Sequence, residues 1–333
     1  MSILNHSVKR IICCKRLHYK AFNYQFPGNH QFKISYCLAS CSFLTTRHFS
    51  WTGFYSALSQ STPVLSFQNL LLEVHEITSL PWWAVIMLTT LGIRSIIVFP
   101  LSVHQNQVMA RLMNINAGLG AKATQLNEEV NIARRMYNWN EEQAKKVFRR
   151  QMKKIYQDSV IRDNCHPFKA TLLVLIQVPV WICFSVSLRN LTMASSMFNS
   201  GFDSLYASFK TEGVLWFPDL TCPDPIFIPL LLLLVNGSLI EIHAMRQIGK
   251  GSLFQKVMLN SSRLITIIVA LAASINPSSV TFYWLCSSSI GLCQNVLLMA
   301  PRVRSILNIP KTGHESATPF LDLAANLRKR FKI

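Results

Sequence analysis

Carboxylates are scarce in this chain of 333 residues: 15 Asp and Glu stand against 33 Lys and Arg, and none precedes Glu73. Charge of either sign is thin as well, at 14% of residues, whereas 50% are hydrophobic. Mean hydropathy is +0.27. In a chain this long, that balance argues against a soluble core and for a protein that crosses a membrane several times. Motifs of covalent chemistry are missing too. The sequence holds no Ser/His/Asp set, phosphate loop or metal-ligand spacing, so neither an enzyme nor a metal or cofactor is expected. Internal repeats and low-complexity tracts are also lacking.

Cysteine offers no framework. Of the nine, Cys13, Cys14, Cys37 and Cys41 fall in the first 50 residues. Cys183, Cys286 and Cys293 lie in apolar runs, where cysteine behaves as a small apolar residue. No second pair or histidine spacing makes the early cysteines a metal site.

The absence of acid is most pointed at the start. Residues 1–50 carry Lys9, Arg10, Lys15, Arg16, Lys20, Lys33 and Arg47 without one carboxylate, the composition of a mitochondrial transit peptide. Arg47-His48-Phe49-Ser50 has the look of a matrix-peptidase site. Residues 51–81 follow as a segment expected in the intermembrane space.

What the chain does contain is long apolar runs. Residues 82–103 hold one charge, Arg94, near the middle. A spanning helix needs about 20 apolar residues, and an arginine at its centre costs about 2.5 to 3.5 kcal/mol. Such a residue faces a cavity, a partner helix or a substrate. Further runs cover 168–188, 226–243, 257–275 and 280–299, which predicts five spanning helices. In the fourth the strongly apolar part is only 264–275, because Arg263 interrupts the turn before it. Glu241, the one acid in these runs, stands near Arg246 and pairs or snorkels.

Charge orients the spans. Eleven basic residues lie in 104–167, four in 245–263 and seven after residue 299, whereas 191–225 has one basic and four acidic residues. The positive-inside rule puts the basic loops and the short tail, 300–333, in the matrix and the acidic loop outside. Because the +18 charge divides by loop instead of gathering on one face, nucleic acid is not an expected partner.

Within 104–167, two charge-laced helices flank Asn138-Trp139-Asn140, and Asn140 with Gln143 reads as a capping box. They predict an antiparallel hairpin projecting into the matrix. Its cations Lys145, Lys146, Arg149, Arg150 and Lys153 suit lipid headgroups, a partner or a polypeptide equally. Across the spans, Thr90 and Arg94 share a face, as do Gln177 and Ser185, and Ser287, Gly291 and Gln294. Three polar stripes are therefore available to converge.

Arg94 in span one, Pro167 and Gln177-Val178-Pro179 in span two, and Pro277, Tyr283-Trp284 and Gln294 around span five resemble the YidC/Oxa/Alb insertase family over about residues 82–299. Arg162-Asp163-Asn164-Cys165-His166-Pro167-Phe168-Lys169-Ala170 and Trp216-Phe217-Pro218-Asp219-Leu220-Thr221 are similar to its mitochondrial cytochrome c oxidase assembly branch. The resemblance implies an all-α membrane protein, a five-transmembrane-helix insertase core with a matrix-side helical hairpin between helices one and two. It also implies a water-entered groove around Arg94, cytochrome c oxidase subunit II as polypeptide substrate, and complex IV assembly factors as possible partners. The short tail implies action without stable ribosome binding. Two other readings stay open: a scaffold for newly inserted subunits, and a solute or anion carrier.

Overall fold

A computed structural model describes residues 51–197, 203–246, 253–313 and 318–331. The expected transit peptide lies outside them. Helices account for the fold. Among the described residues, the one strand-like pairing is an isolated bridge between Val214 and Phe217.

Two helices, α1 (Trp51–Ser59) and α2 (Thr62–Thr78), open the described chain. Ser61 begins α2, and Ser79, in the left-handed region at φ 51°, ends it. Next, α3 (Trp82–Ile93) passes through a π-helical turn (Arg94–Val98) into α4 (Phe99–Tyr137), making an unbroken helical stretch of 56 residues. Pro100 explains the π turn: it has no N–H to give the carbonyl four residues earlier, and the Phe99 N–H reaches back to the Arg94 carbonyl instead.

Asn138, at φ 50°, ends α4, and α5 (Glu141–Arg162) returns along it. The expected capping box is present, with the Asn140 N–H donating to Gln143 Oε1 at 3.0 Å. Leu126 and Val130 pack against Ala144, Val147, Met152 and Ile155, so the hairpin has its own small apolar seam. At its base, Gln105 donates to the Ala170 carbonyl at 2.9 Å. His166 is a loop cap, since its Nδ1 accepts the Phe168 N–H at 3.2 Å.

Four further long helices and three short ones complete the chain: α6 (Pro167–Met197), α7 (Asp203–Thr211), α8 (Phe227–Arg246), α9 (Leu253–Ala273), α10 (Ser278–Leu297), α11 (Pro301–Ile306) and α12 (Pro319–Phe331). Among the described residues, four helical stretches are long and apolar enough to cross a membrane: 82–137, 167–193, 227–245 and 256–273. The fifth expected span forms as α10 but does not reach that apolarity. Its place explains why. It packs against α3, α6, α8 and the π turn, and Ser278, Ser279, Thr281, Ser287 and Gly291 are buried on it. A helix surrounded by helices needs little lipid-facing surface.

The fourth span is not weakened at Arg263, as α9 runs through it. Arg263 Nη2 bonds Glu241 Oε1 of α8 at 2.8 Å. Glu241 is thus tied to Arg263 on the neighbouring helix; Arg246, five residues along its own helix, has its side chain outside the described residues.

The main core joins α2, α3, α6, α7, α8, α9 and α10. Trp82 lies at its edge, stacked on His75 at 4.3 Å and on Phe209 at 4.2 Å, with its indole N–H on Ser208 at 2.9 Å and its backbone N–H on Glu212 at 3.0 Å. The loop after α7 is equally fixed. Asp224 accepts the Trp216 indole N–H at 2.7 Å and the backbone N–H groups of Ile226 and Phe227 at 3.0 Å, capping the start of α8.

Candidate functional site

The π turn brings Arg94 against α10. Its Nε and Nη2 both donate to Ser287 Oγ, at 3.1 and 2.8 Å. Hydrogen bonds involving a charged group contribute about 1.5 to 3 kcal/mol, comparable with the cost of an arginine in a span, so Ser287 offsets much of it. Two of the five guanidinium N–H donors are used in this way. Among the described residues, no carboxylate forms an ion pair with Arg94.

Gly291 lies one turn along α10 from Ser287 and leaves room for the guanidinium: a methyl group there would stand 3.0 Å from Arg94 Nη1. Gln294 closes the contact from the next turn, donating to the Arg94 carbonyl at 3.2 Å. That carbonyl belongs to the displaced register of the π turn. Ser287, Gly291 and Gln294 thus form a track along α10 against which Arg94 and its backbone carbonyl lie.

Thr90, Ile93, Arg94, Val98, Gln177, Val180, Trp181, Tyr283 and Ser287 line one cleft between α3, the π turn, α6 and α10. Its water-accessible volume is about 20 Å³, room for about one water molecule. Where the resemblance implies a water-entered groove, the structure has a narrow cleft with Val180, Trp181 and Tyr283 in its lining. The expected residues Thr90, Arg94, Gln177 and Ser287 do meet. Thr90 turns inward but bonds its own helix, at the Ile86 carbonyl, 2.6 Å away.

Ser185 has a different task from the one its face suggests. It accepts the Trp284 indole N–H at 2.9 Å and donates to the Trp181 carbonyl at 2.7 Å. This fixes the tryptophan pair 181/284, whose rings lie 5.0 Å apart, at the end of the cleft.

On the hairpin, Lys145, Lys146, Arg149, Arg150 and Lys153 are all exposed. Lys145 pairs with Glu141 one turn away; at that exposure such a pair contributes little stability. The hairpin thus presents a solvated cationic surface remote in sequence from the cleft. Among the described residues, no group of three or more His, Cys, Asp or Glu side chains could hold a metal ion.

The π turn and the aromatic lining by Trp181 were not anticipated from sequence. Pro100 within a predicted span was the available signal for the first, and Trp181, four residues from both Gln177 and Ser185, for the second.

Comparison with known proteins agrees with the architecture. Residues 73–305 match the 60Kd inner membrane protein family. Cytochrome c oxidase assembly protein COX18, mitochondrial, of Homo sapiens is 39% identical over 280 residues, covering 84% of this chain and 83% of the human protein. Its Mus musculus counterpart is 38% identical over the same length. Mitochondrial inner membrane protein OXA1L of Mus musculus is 30% identical over 255 residues, 76% of this chain and 53% of that protein. With the family match spanning well over half the sequence, the chain belongs to the 60Kd inner membrane protein family, the YidC/Oxa family of membrane insertases.

Proposed function

We propose that this protein is a mitochondrial inner-membrane insertase of cytochrome c oxidase assembly, and that it moves the C-terminal domain of cytochrome c oxidase subunit II to the intermembrane space. The relatives' names support the first part, since the human and mouse relatives at 39% and 38% identity are named cytochrome c oxidase assembly proteins. One observation carries the second: a cation, Arg94, stands inside a membrane helix with a serine hydroxyl and no carboxylate as its partner among the described residues. A polypeptide that brings carboxylates supplies what this site lacks.

In this reading the basic hairpin and tail face the matrix and gather the acidic segment. Arg94 lowers its dehydration barrier midway. Trp181, half-buried at the cleft, gives the apolar part of the polypeptide a surface as it leaves sideways into lipid. Transfer needs no covalent step. A negative charge moving out of the negative matrix gains about 2.3 kcal/mol per 100 mV. The uncharged, tightly packed α10 is the fifth span, which sets the described N-terminal helices and the tail on opposite sides.

The test is protease accessibility of the subunit II C-terminal domain in mitoplasts lacking the protein, complemented with wild type or Arg94→Ala. Retention in the matrix with rescue by wild type supports translocation. Normal export without the protein sinks it, and stable binding without a topology defect replaces it with a scaffold.

A further inference from the structure

The turn at 213–218 contains no charged residue and is built with unusual care. Gly213 donates to the Pro218 carbonyl at 2.9 Å, and Val214 and Phe217 exchange two hydrogen bonds of 3.2 Å. A side chain at Gly213 would collide with the Phe217 carbonyl, 1.9 Å from the added carbon. Between them, Leu215 sits at φ 57°. Leucine is among the residues least suited to the left-handed region, where glycine or asparagine would relax. The strained residue is also 80% exposed. Packing inside the protein therefore does not account for a leucine here.

The neighbouring Trp216 is half-exposed, with its polar edge satisfied by Asp224 at 2.7 Å and its ring 5.7 Å from that of Phe227. Ile226 and Phe227, at the first turn of α8, are exposed as well. From Phe227 the exposed stripe continues through Leu230 and Leu234, at the spacing of one helix face. That face belongs to a helix apolar enough to span a membrane. The apolar tip of the turn is thus continuous with a lipid-facing surface, at the level where the helix enters the bilayer.

We infer that this turn is a membrane-interface anchor, with Leu215 and the Trp216 ring seated in the lipid leaflet beside the start of α8. A tryptophan whose N–H is satisfied and whose ring is exposed suits that depth. Lipid is favoured over a protein partner because the patch does not stop at the turn but runs onto the span. The anchor also sets the height of α10: the loop carbonyls of Leu220 and Cys222 accept the Ser279 and Ser278 N–H groups, each at 3.0 Å. The inference stands apart from the identity of any transported polypeptide.

The full-length protein in proteoliposomes, with an environment-sensitive fluorophore on Leu215→Cys, tests it. Unsubstituted protein labelled in parallel gives the contribution of native cysteines, and Leu230→Cys and Glu142→Cys mark lipid and water. A lipid carrying a shallow nitroxide is expected to quench the 215 probe about two-fold or more, as at 230, with weak quenching by iodide. Iodide quenching like that at 142, without lipid quenching, overturns the anchor. Should Leu215→Cys fail to fold, Leu215→Asn suits the backbone and removes the apolar tip. A probe at Ile226→Cys should then lose lipid quenching relative to its Leu215-containing parent; unchanged quenching overturns the proposal.

Discussion

Arg94 and Gly291 are matched in size: the guanidinium Nη1 occupies the place a β-carbon at 291 would crowd, at 3.0 Å. Gly291→Ala asks the arginine to give by a few tenths of an ångström, which its flexible end can do, so export should be little changed. Gly291→Leu should displace the guanidinium from Ser287 and lower export towards the level of Arg94→Ala at normal protein abundance. Export is read by protease protection in mitoplasts. Full export by Gly291→Leu would break the link between this glycine and the arginine.

Removing the charge should separate stability from activity. Arg94→Ala removes the insertion cost of about 2.5 to 3.5 kcal/mol along with the Ser287 bonds, so abundance should hold. If the site lowers the transfer barrier by about 1.5 to 3 kcal/mol, export slows by roughly ten- to hundred-fold. Arg94→Lys keeps the charge but loses the two-pronged hold on Ser287 and should fall between. Pulse-labelled export rates rank the three.

Trp82 is fully buried between His75 and Phe209. Trp82→Ala should cost about 3 to 5 kcal/mol and lower the unfolding temperature in detergent. Trp82→Phe keeps most of the packing and loses the Ser208 bond, for a cost of about 1 kcal/mol. Equal effects of the two would show that packing is not the main contribution.

Asp224 gives an acid-side prediction. Burial acts to raise its pKa, but the Trp216 indole and the backbone N–H groups of Ile226, Phe227 and Ile228 outweigh it and hold the carboxyl below its ordinary value. A group depressed in the folded state contributes stability above its unfolded pKa, near about 3.9, and loses it as pH falls through the folded value. Unfolding followed from pH 7 downward should therefore show an acid-dependent loss that Asp224→Asn lacks. An identical acid limb in the variant would assign the loss elsewhere.

Much of this was legible in sequence, for physical reasons that differ by element. The hairpin was readable because Asn140 and Gln143 cap locally, and the apolar runs because lipid demands length. Arg94 was readable because a lone charge in such a run needs an explanation. Ser185 was misread because facing the bundle does not say which neighbour arrives first; Trp284 does. The Glu241–Arg263 pair joins two helices, and sequence proximity gives no sign of it. Helix α10 looks like an ordinary span because its apolar residues are many, yet Ser278 and Ser279 bond the loop at 220–222 and Ser287 and Gly291 receive Arg94. The π turn left only Pro100 as its trace.

The unbroken helical stretch from Trp82 to Tyr137, 56 residues, is roughly 84 Å long at 1.5 Å per residue. Arg94 and the hairpin tip ride on the same rod, pinned at one end by the stacked Trp82. Between that pin and the tip, Gln105, Gln107, Arg111 and Asn114 reach the carbonyls of Ala170, Leu307, Asp163 and Lys311. The rod is therefore clamped at mid-length, and bending of its free end is absorbed beyond residue 114, leaving the π turn and its arginine at rest.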